Sequence, residues 1–551
     1  MNLQPQSQCR AHPLISVQGV SVVFASGQSG SALRDLSFDL MAGEILGIVG
    51  ESGSGKSVMC RAIAGLLPPS AKIKGQMNFE GRPYPLSDRR LLAGLRGHGI
   101  AMIFQDPMSA LDPLMTVRRH LALRTPGDPG PLLTTAGFGD PGKILDSYPH
   151  QMSGGQCQRV AIACALAREP RLLIADEPTS ALDVTVQASI LKHLKAVAAE
   201  RGMSIIFVTH DLAVAYQLCN QIIVMRNGVI LETGSAAAVL AAPRADYTKH
   251  LIASMPRSRP HASGIMPQTS PPAGLRPIGV PSARHPALRL DNISVGYKTP
   301  DGRRFDAVRN VSVDVGEGEI VGLVGESASG KSTLAKAAVG LVTPSAGRIS
   351  MNGRVVDWSR PEPSWRREIQ YIFQDPRGAL DPLGRIVHQV RQPLDIHRLG
   401  DKGEREAVAR ARLLETHLDD KLFGRKPGSL SGGQRQRATI ARALTVRPRV
   451  LICDESVSAL DVSIQAKILD LLLGLRDKYA LAILFISHDL SVIQHICDRV
   501  VVMRHGKLIE EGPTFELFRN PTESYTRDLI AALPRLPDAP PSHLSEQEAA
   551  V

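Results

Sequence analysis

The chain has 551 residues, which is too long for one ordinary hydrophobic core and predicts at least two domains. Its seven cysteines are scattered without a CxxC pair, which argues against zinc, an iron–sulfur cluster or a disulfide framework and is typical of a reducing cytosol. We expect no secretory signal and no membrane span, because the longest apolar runs are short. The net charge of +11 is compatible with an anionic ligand, an acidic membrane surface or nucleic acid, and does not choose among them.

The first informative element is an apolar strand, EILGIVG, that leads into the stretch GESGSGKS. This stretch meets the pattern GxxxxGK[ST], in which a glycine-rich backbone turns its N–H groups toward phosphate oxygens at the start of a helix. Lys56 would reach the β- and γ-phosphates, and Ser57 would bind Mg²⁺. The predicted phosphate-binding loop consists of Gly50, Glu51, Ser52, Gly53, Ser54, Gly55, Lys56 and Ser57.

A helical insertion is predicted between Gln105 and Ser153, and SGGQ then begins a helix. The start of that helix, with Ser153 and Gly155, is a second place where backbone N–H groups are available to an anion. Taken alone, the motif indicates only a capped helix.

Two further apolar strands end in polar residues. RLLIADE ends in Asp176, placed for Mg²⁺, and Glu177, placed as a general base, although the pair could instead cap a helix. SIIFVTH ends in His210, which could hydrogen-bond a γ-phosphate or could be a structural histidine.

The second half of the chain repeats these elements, at a constant offset of 278 from SGGQ onward. The repetition argues against a chance match of the loop and favours the functional interpretation of both histidines. The counterparts outside the loop are Gln374, Ser431, Gly433, Asp454, Glu455 and His488. The second loop consists of Gly325, Glu326, Ser327, Ala328, Ser329, Gly330, Lys331 and Ser332.

Buried strands that alternate with helices predict an α/β fold with two tandem P-loop NTPase domains, each with a mostly parallel sheet and a helical insertion. We place the first domain at residues 14–255 and the second at 287–536. Residues 256–286 contain eight prolines and no acidic residue, which predicts an extended linker, and residues 537–551 are expected to be disordered.

The ordered set of phosphate loop, QDP, SGGQ, Asp-Glu, SALD and His, present twice, resembles the ATP-binding subunits of ABC transporters. In that family two ATPase domains pack head to tail, and each ATP lies between the loop of one domain and the SGGQ segment of the other. The resemblance implies that Ser431 and Gly433 close the ATP held by Lys56. It implies equally that Ser153 and Gly155 close the ATP held by Lys331, so one chain would form the whole pair.

The resemblance also implies roles for side chains near the metal and the base of the nucleotide. Gln105 and Gln374 would contact the metal and the water, and Phe24 and Tyr297 would stack on adenine, although either ring could belong to the core. The implied Mg²⁺ ligands are Ser57, Gln105, Asp176, Ser332, Gln374 and Asp454.

The segments QDPMSALDPL, YPHQMSGGQ and the Tyr-Thr-x-x-Leu tails are similar to the dipeptide/oligopeptide/nickel branch of ABC importers. This similarity implies an energy-coupling ATPase on the cytoplasmic face of the inner membrane. Its implied partners are two integral-membrane permeases and a solute-binding protein, and no nucleic acid is expected. The two insertions differ in length, which suggests that the permeases are unlike. The alternatives are nickel, opines or oligosaccharides as solute, a tandem ABC protein that acts on ribosomes, or a DNA-repair ATPase.

Three positions depart from the pattern of this branch. Ala328 replaces a loop glycine, which is tolerable if the residue needs no positive φ. Ser456 replaces the proline that follows the catalytic glutamate in the first half, and Cys157 stands where the second half has Arg435. No catalytic group is lost, so we predict that both sites hydrolyse ATP.

Overall fold

The computed structural model describes residues 12–24, 31–179, 182–255, 286–298, 302, 304–357, 362–458 and 460–534. These residues divide mainly into two compact units, one in each half of the chain. The predicted linker 256–286 lies outside the described residues except for its last position, and the predicted disordered segment 537–551 lies outside them entirely.

The described residues of the first half form alternating strands and helices, with one 3₁₀ helix at Pro149–Gln151. The strands are β1 (Ile15–Phe24), β2 (Ser31–Leu40), β3 (Ile45–Val49), β4 (Ala71–Phe79), β5 (Arg82–Pro85), β6 (Ile100–Ile103), β7 (Leu172–Asp176), β8 (Ser204–Val208), β9 (Gln221–Arg226) and β10 (Val229–Ser235). The helices are α1 (Lys56–Ile63), α2 (Arg89–Leu95), α3 (Pro107–Ala110), α4 (Val117–Ala122), α5 (Gly130–Thr135), α6 (Gly142–Leu145), α7 (Gly154–Leu166), α8 (Val184–Arg201), α9 (Leu212–Leu218), α10 (Ala236–Ala241) and α11 (Asp246–Ala253).

The described residues of the second half repeat this order, with 3₁₀ helices at Asp420–Leu422 and Pro427–Ser429. The strands are β11 (Leu288–Lys298), β12 (Arg304–Val315), β13 (Ile320–Val324), β14 (Ala346–Met351), β15 (Arg354–Val355), β16 (Ile369–Ile372), β17 (Val450–Asp454), β18 (Ala482–Ile486), β19 (Arg499–Arg504) and β20 (Lys507–Pro513). The helices are α12 (Lys331–Ala338), α13 (Pro363–Glu368), α14 (Pro376–Ala379), α15 (Ile386–His397), α16 (Lys402–Glu415), α17 (Gly432–Leu444), α18 (Val462–Tyr479), α19 (Leu490–Ile496), α20 (Thr514–Arg519) and α21 (Ser524–Ala531).

Each half contains a six-stranded sheet, in the order β10-β9-β3-β8-β7-β6 in the first half and β20-β19-β13-β18-β17-β16 in the second. All neighbouring strands are parallel except β10 and β20, which run antiparallel to β9 and β19. Every residue of β3, β7 and β8 is buried, because helices cover both faces of the sheet. The predicted α/β fold with two mostly parallel sheets is confirmed.

Each half also contains a four-stranded antiparallel sheet, in the order β2-β1-β4-β5 and β12-β11-β14-β15, which we did not predict. The strands of this sheet bury one face only. Along β1, for example, Val20 and Val22 are fully buried while the intervening Ser21 is partly exposed. Such alternation is typical of antiparallel strands with one solvated face.

The helical insertions differ between the halves, as their lengths predict. In the first half the insertion contains helices of four to six residues, α3 to α6. In the second half it contains α15 with 12 residues and α16 with 14 residues. Within the described ranges, no helix has the length and apolar character needed to span a bilayer.

Candidate functional site

The predicted site residues of each half follow neighbouring strands of the six-stranded sheet, at the edge where those strands end. In the first half the phosphate loop follows β3, His210 follows β8, Glu177 follows β7 and Gln105 follows β6. Ligands of open α/β sheets bind at this edge, beyond the carboxyl ends of the parallel strands. The second half places its counterparts in the same order.

The loop lysine of each half is buried and bonds to the loop itself. The Nζ atom of Lys56 donates to the carbonyl oxygens of Gly50 at 2.6 Å and Glu51 at 2.9 Å. In the second half Lys331 donates to the equivalent carbonyls, each at 2.7 Å, and burial lowers the pKa of its ammonium group. The residue before each lysine is a glycine with φ near +102°, a conformation that brings the loop into the helix without a Cβ clash.

The hydroxyl groups at the start of α1 and α12 bond to the aspartates that end β7 and β17. The Oγ atom of Ser57 donates to Asp176 at 2.9 Å, and that of Ser332 donates to Asp454 at 3.0 Å. Hydroxyl and carboxylate oxygens are the hard donors that Mg²⁺ prefers, and it takes few protein ligands when phosphates supply the others. The donor set therefore fits Mg²⁺.

Glu177 lies between an amide and an imidazole. The Nε2 atom of Gln105 donates to Glu177 Oε2 at 3.0 Å, and Nδ1 of His210 lies 3.3 Å from the same oxygen. Burial alone would raise the pKa of Glu177, but the hydrogen bond and charge of His210 outweigh it and lower the pKa. The same pairing raises the pKa of His210 against the effect of burial.

The second half has the same arrangement around Glu455. Gln374 donates to its carboxylate at 2.6 Å, and Nδ1 of His488 lies 3.4 Å away. Burial would raise the pKa of Glu455, but His488 lowers it. Both glutamates have φ near +46°, a conformation that a non-glycine residue adopts at a cost of about 1–3 kcal/mol and that is concentrated at functional sites.

One residue near the second site was missed by the sequence analysis. The hydroxyl of Tyr371, on β16, donates to Asp454 Oδ2 at 2.5 Å, and burial together with this contact raises the pKa of the phenol. The equivalent position in the first half is Met102, so Asp176 has no such donor from β6. The difference between QYIFQDP and AMIFQDP was the available signal. Burial, moreover, raises the pKa of Asp176.

The SGGQ segments form capping boxes at the starts of α7 and α17. The hydroxyl of Ser153 accepts a hydrogen bond from the backbone N–H of Gln156 at 3.3 Å, and the Gln156 side chain accepts one from Ser153 N–H at 2.9 Å. Ser431 forms the same box, and both serines are exposed. Gly433 is buried, and a Cβ added there would lie 2.4 Å from Ile464.

The two aromatic residues proposed for adenine lie on the four-stranded sheets. Phe24 is partly buried and packs against the hydrophobic core of the first half. Tyr297 is 41% exposed near the end of β11. Stacking on adenine stays a prediction for both rings, and the exposed Tyr297 is the more accessible of the two.

The departures from the family pattern have structural consequences. Ala328 has φ of +64°, so the condition under which we expected it to be tolerated without cost is not met. Cys157 keeps one contact of its counterpart, because its Sγ lies 3.4 Å from the Pro149 carbonyl while Arg435 donates to the equivalent Pro427 carbonyl at 3.3 Å.

Comparisons with known proteins identify both halves and their C-terminal tails. The ABC transporter family matches residues 33–180 and 308–458, and the oligopeptide/dipeptide transporter C-terminal region matches residues 231–277 and 509–550. The chain is 42% identical to the peptidoglycan transport ATP-binding protein YejF of Agrobacterium fabrum, over 95% of this chain and 97% of the relative. It is 38% and 40% identical to the glutathione import ATP-binding proteins GsiA of Pectobacterium atrosepticum and Escherichia coli O157:H7, over 95% of this chain and 89% of each relative.

Proposed function

The chain belongs to the ABC transporter family, and on this premise we propose that it is the ATP-hydrolysing subunit of a bacterial importer of dipeptides or oligopeptides. The observation that carries the proposal is the group of glutamate, glutamine and histidine beside a phosphate loop, present in each half. A carboxylate at this place, held by an amide and an imidazole, is suited to accept a proton from an attacking water.

In the proposed first site, Lys56 binds the β- and γ-phosphates. Ser57, Asp176 and Gln105 would hold Mg²⁺, and the bound ion would supply neutralisation of the phosphate charge. Glu177 takes a proton from the attacking water as the oxygen of that water bonds to the γ-phosphorus. The bond between the γ-phosphorus and the bridging oxygen breaks, and the bridging oxygen stays on ADP. His210 holds Glu177 and reaches the γ-phosphate.

The second site works in the same way with Lys331, Ser332, Asp454, Gln374, Glu455 and His488. We propose further that each site is completed by the other half. Ser431 and Gly433 would close the nucleotide on Lys56, and Ser153 and Gly155 would close the nucleotide on Lys331. ATP binding would then draw the halves together, and hydrolysis would release them, with each half present at the high effective concentration that a covalent connection supplies.

The movement would be passed to two integral-membrane permeases at the cytoplasmic face of the inner membrane. The unlike insertions, short helices against α15 and α16, support two unlike permeases. The match of both tails to the oligopeptide/dipeptide transporter C-terminal region supports a peptide solute, delivered by a solute-binding protein.

The steady-state ATPase rate of Glu177→Gln and Glu455→Gln tests the two catalytic sites. Loss of a general base lowers the rate at its own site by about 10²–10⁴-fold. Each single variant is therefore expected to lose the part of the ATPase rate that its site supplies, and the double variant is expected to lose nearly all activity. Glu516→Gln, an exposed position on α20, is the matched control. If either single variant retained the full rate, the corresponding site would not be catalytic.

The transporter role is tested by purifying the tagged chain from detergent-solubilised membranes and identifying its partners. Two different integral-membrane proteins in stoichiometric amount are expected. Two copies of one permease would contradict the proposal of unlike subunits. Ribosomal proteins or DNA without a membrane partner would contradict the importer.

A further inference from the structure

The C-terminal tail of each half contacts its own phosphate loop through a tyrosine. The hydroxyl of Tyr247, on α11, accepts a hydrogen bond from the backbone N–H of Glu51 at 3.0 Å. In the second half Tyr525, on α21, accepts one from Glu326 N–H, also at 3.0 Å. The contact joins residues 196 and 199 positions apart, so the tail is part of the surroundings of each loop.

The contacted N–H belongs to the same peptide group as the carbonyl that the loop lysine binds. Lys56 donates to the Gly50 carbonyl at 2.6 Å, and Gly50 and Glu51 share that peptide group. Lys331 and Gly325 repeat the contact at 2.7 Å. The first peptide group of each loop is therefore held by the lysine at its oxygen and by the tyrosine at its nitrogen.

The tyrosine rings themselves are fixed in position. Tyr247 is 7% exposed and Tyr525 is 5% exposed. The guanidinium of Arg226 lies 4.7 Å from the centre of the Tyr247 ring, and that of Arg504 lies 4.5 Å from the Tyr525 ring. These arginines end β9 and β19, the neighbours of the strands that lead into the loops. Burial raises the pKa of both phenols, that of Tyr525 to about 12, so both are neutral at physiological pH.

The helices that carry the tyrosines are anchored at their starts. The carboxylate of Glu232, on β10, accepts hydrogen bonds from the backbone N–H groups of Arg244 at 2.8 Å and Ala245 at 3.1 Å. Glu510, on β20, makes equivalent contacts in the second half. Each tail thus bonds to the edge strand of its sheet through a glutamate and to the phosphate loop through its tyrosine.

We propose that Tyr247 and Tyr525 are positioning residues for nucleotide binding, each holding the first peptide group of its loop in the orientation that ATP requires. A lysine ammonium has three donors, and those that turn toward phosphate are no longer available to the loop carbonyls. The tyrosine holds the nitrogen end of this peptide group whichever partners the lysine takes. The inference rests on the proposed ATP binding at these loops, and it assigns a role to the tail that matches the oligopeptide/dipeptide transporter C-terminal region.

Tyrosine-to-phenylalanine variants test the hydrogen bond while they keep the ring and its contact with arginine. Tyr247→Phe is made in a Lys331→Ala parent, so that titration with N-methylanthraniloyl-ATP reports the first site. We expect the dissociation constant and the KM for ATP to rise about 5- to 30-fold, the effect of one lost hydrogen bond to a partly buried donor, with kcat changed less than about twofold. Tyr525→Phe in a Lys56→Ala parent tests the second site in the same way.

Leu251→Ala is the matched control, because Leu251 is buried on the same helix and its loss weakens packing without removing the phenol. It is expected to lower the melting temperature and leave nucleotide affinity unchanged. Equal affinities of Tyr247→Phe and its parent would overturn the inference, as would an equal loss of affinity in Leu251→Ala, which would indicate a merely structural tail. A parent that fails to bind the nucleotide would instead contradict the proposed function.

Discussion

Replacing Ala328 by glycine is expected to stabilise the second half, because Ala328 has φ of +64° in its loop. A left-handed conformation costs an L-residue with a Cβ about 1–2 kcal/mol. Glycine also raises the conformational entropy of the unfolded chain, which favours unfolding by about 0.4–1 kcal/mol and offsets part of this gain. The free energy of unfolding should therefore rise by about 1 kcal/mol in total. The side chain is exposed, so the substitution removes no buried contact. The corresponding residue of the first half, Gly53, has φ of +80°.

Urea unfolding followed by tryptophan fluorescence measures this effect in the second half alone, since both tryptophans of the chain, Trp358 and Trp365, lie there. Trp365 packs against the core of that half. With an m-value near 3 kcal/mol/M, the midpoint should rise by about 0.3 M. The control is Ala407→Gly, the same chemical change at an exposed position inside α16, which should lower the unfolding free energy by about 1 kcal/mol. If both variants lowered the midpoint equally, the argument from backbone conformation would be refuted.

Two further predictions concern polar contacts of the second half. Tyr371→Phe, in a Glu177→Gln background, should raise the Mg²⁺ concentration for half-maximal ATPase activity about 3- to 10-fold, because the Asp454 carboxylate loses a partly buried hydrogen bond that fixes it. An unchanged Mg²⁺ dependence would contradict this. Glu415→Gln should lower the urea midpoint at pH 7, since hydrogen bonds led by that of Lys478 outweigh burial and lower the pKa of Glu415 to about 2. The difference in urea midpoint between the variant and the wild type should be complete above the ordinary carboxyl pKa of 4.5 and should shrink as the pH falls toward 2. A difference that does not depend on pH would exclude the charge of Glu415 as its cause.

The sequence predicted the parts of the fold and site that depend on residues close together in the chain. A buried strand followed by a glycine-rich loop is a local pattern, and so is a strand that ends in Asp-Glu. The four-stranded sheets were missed because their pattern is weak. In β4 the exposed Lys72 and Lys74 alternate with Ile73, and the signal becomes clear only when β4 pairs with β1.

Contacts between distant segments could not be predicted from the sequence for a different reason. Tyr371 pairs with Ile452 in the register of β16 and β17, and this register brings its hydroxyl to Asp454. The Tyr-Thr-x-x-Leu tail is visible as a repeat in the sequence, but nothing in the repeat indicates which backbone group the hydroxyl of Tyr247 contacts. Such hydrogen bonds depend on tertiary packing rather than on local preference.

The differences between the halves concern support of the reacting groups rather than the groups themselves. Each half has the lysine, the serine, the aspartate, the glutamate, the glutamine and the histidine that the proposed hydrolysis requires. The second half adds a phenol on Asp454, the aspartate that we propose binds the metal, and it carries a strained residue in its phosphate loop. A phenol that donates to a carboxylate changes how firmly it is held, and a strained loop residue changes how much free energy keeps the loop folded. We therefore expect the two sites to use one chemistry with different dependence on Mg²⁺.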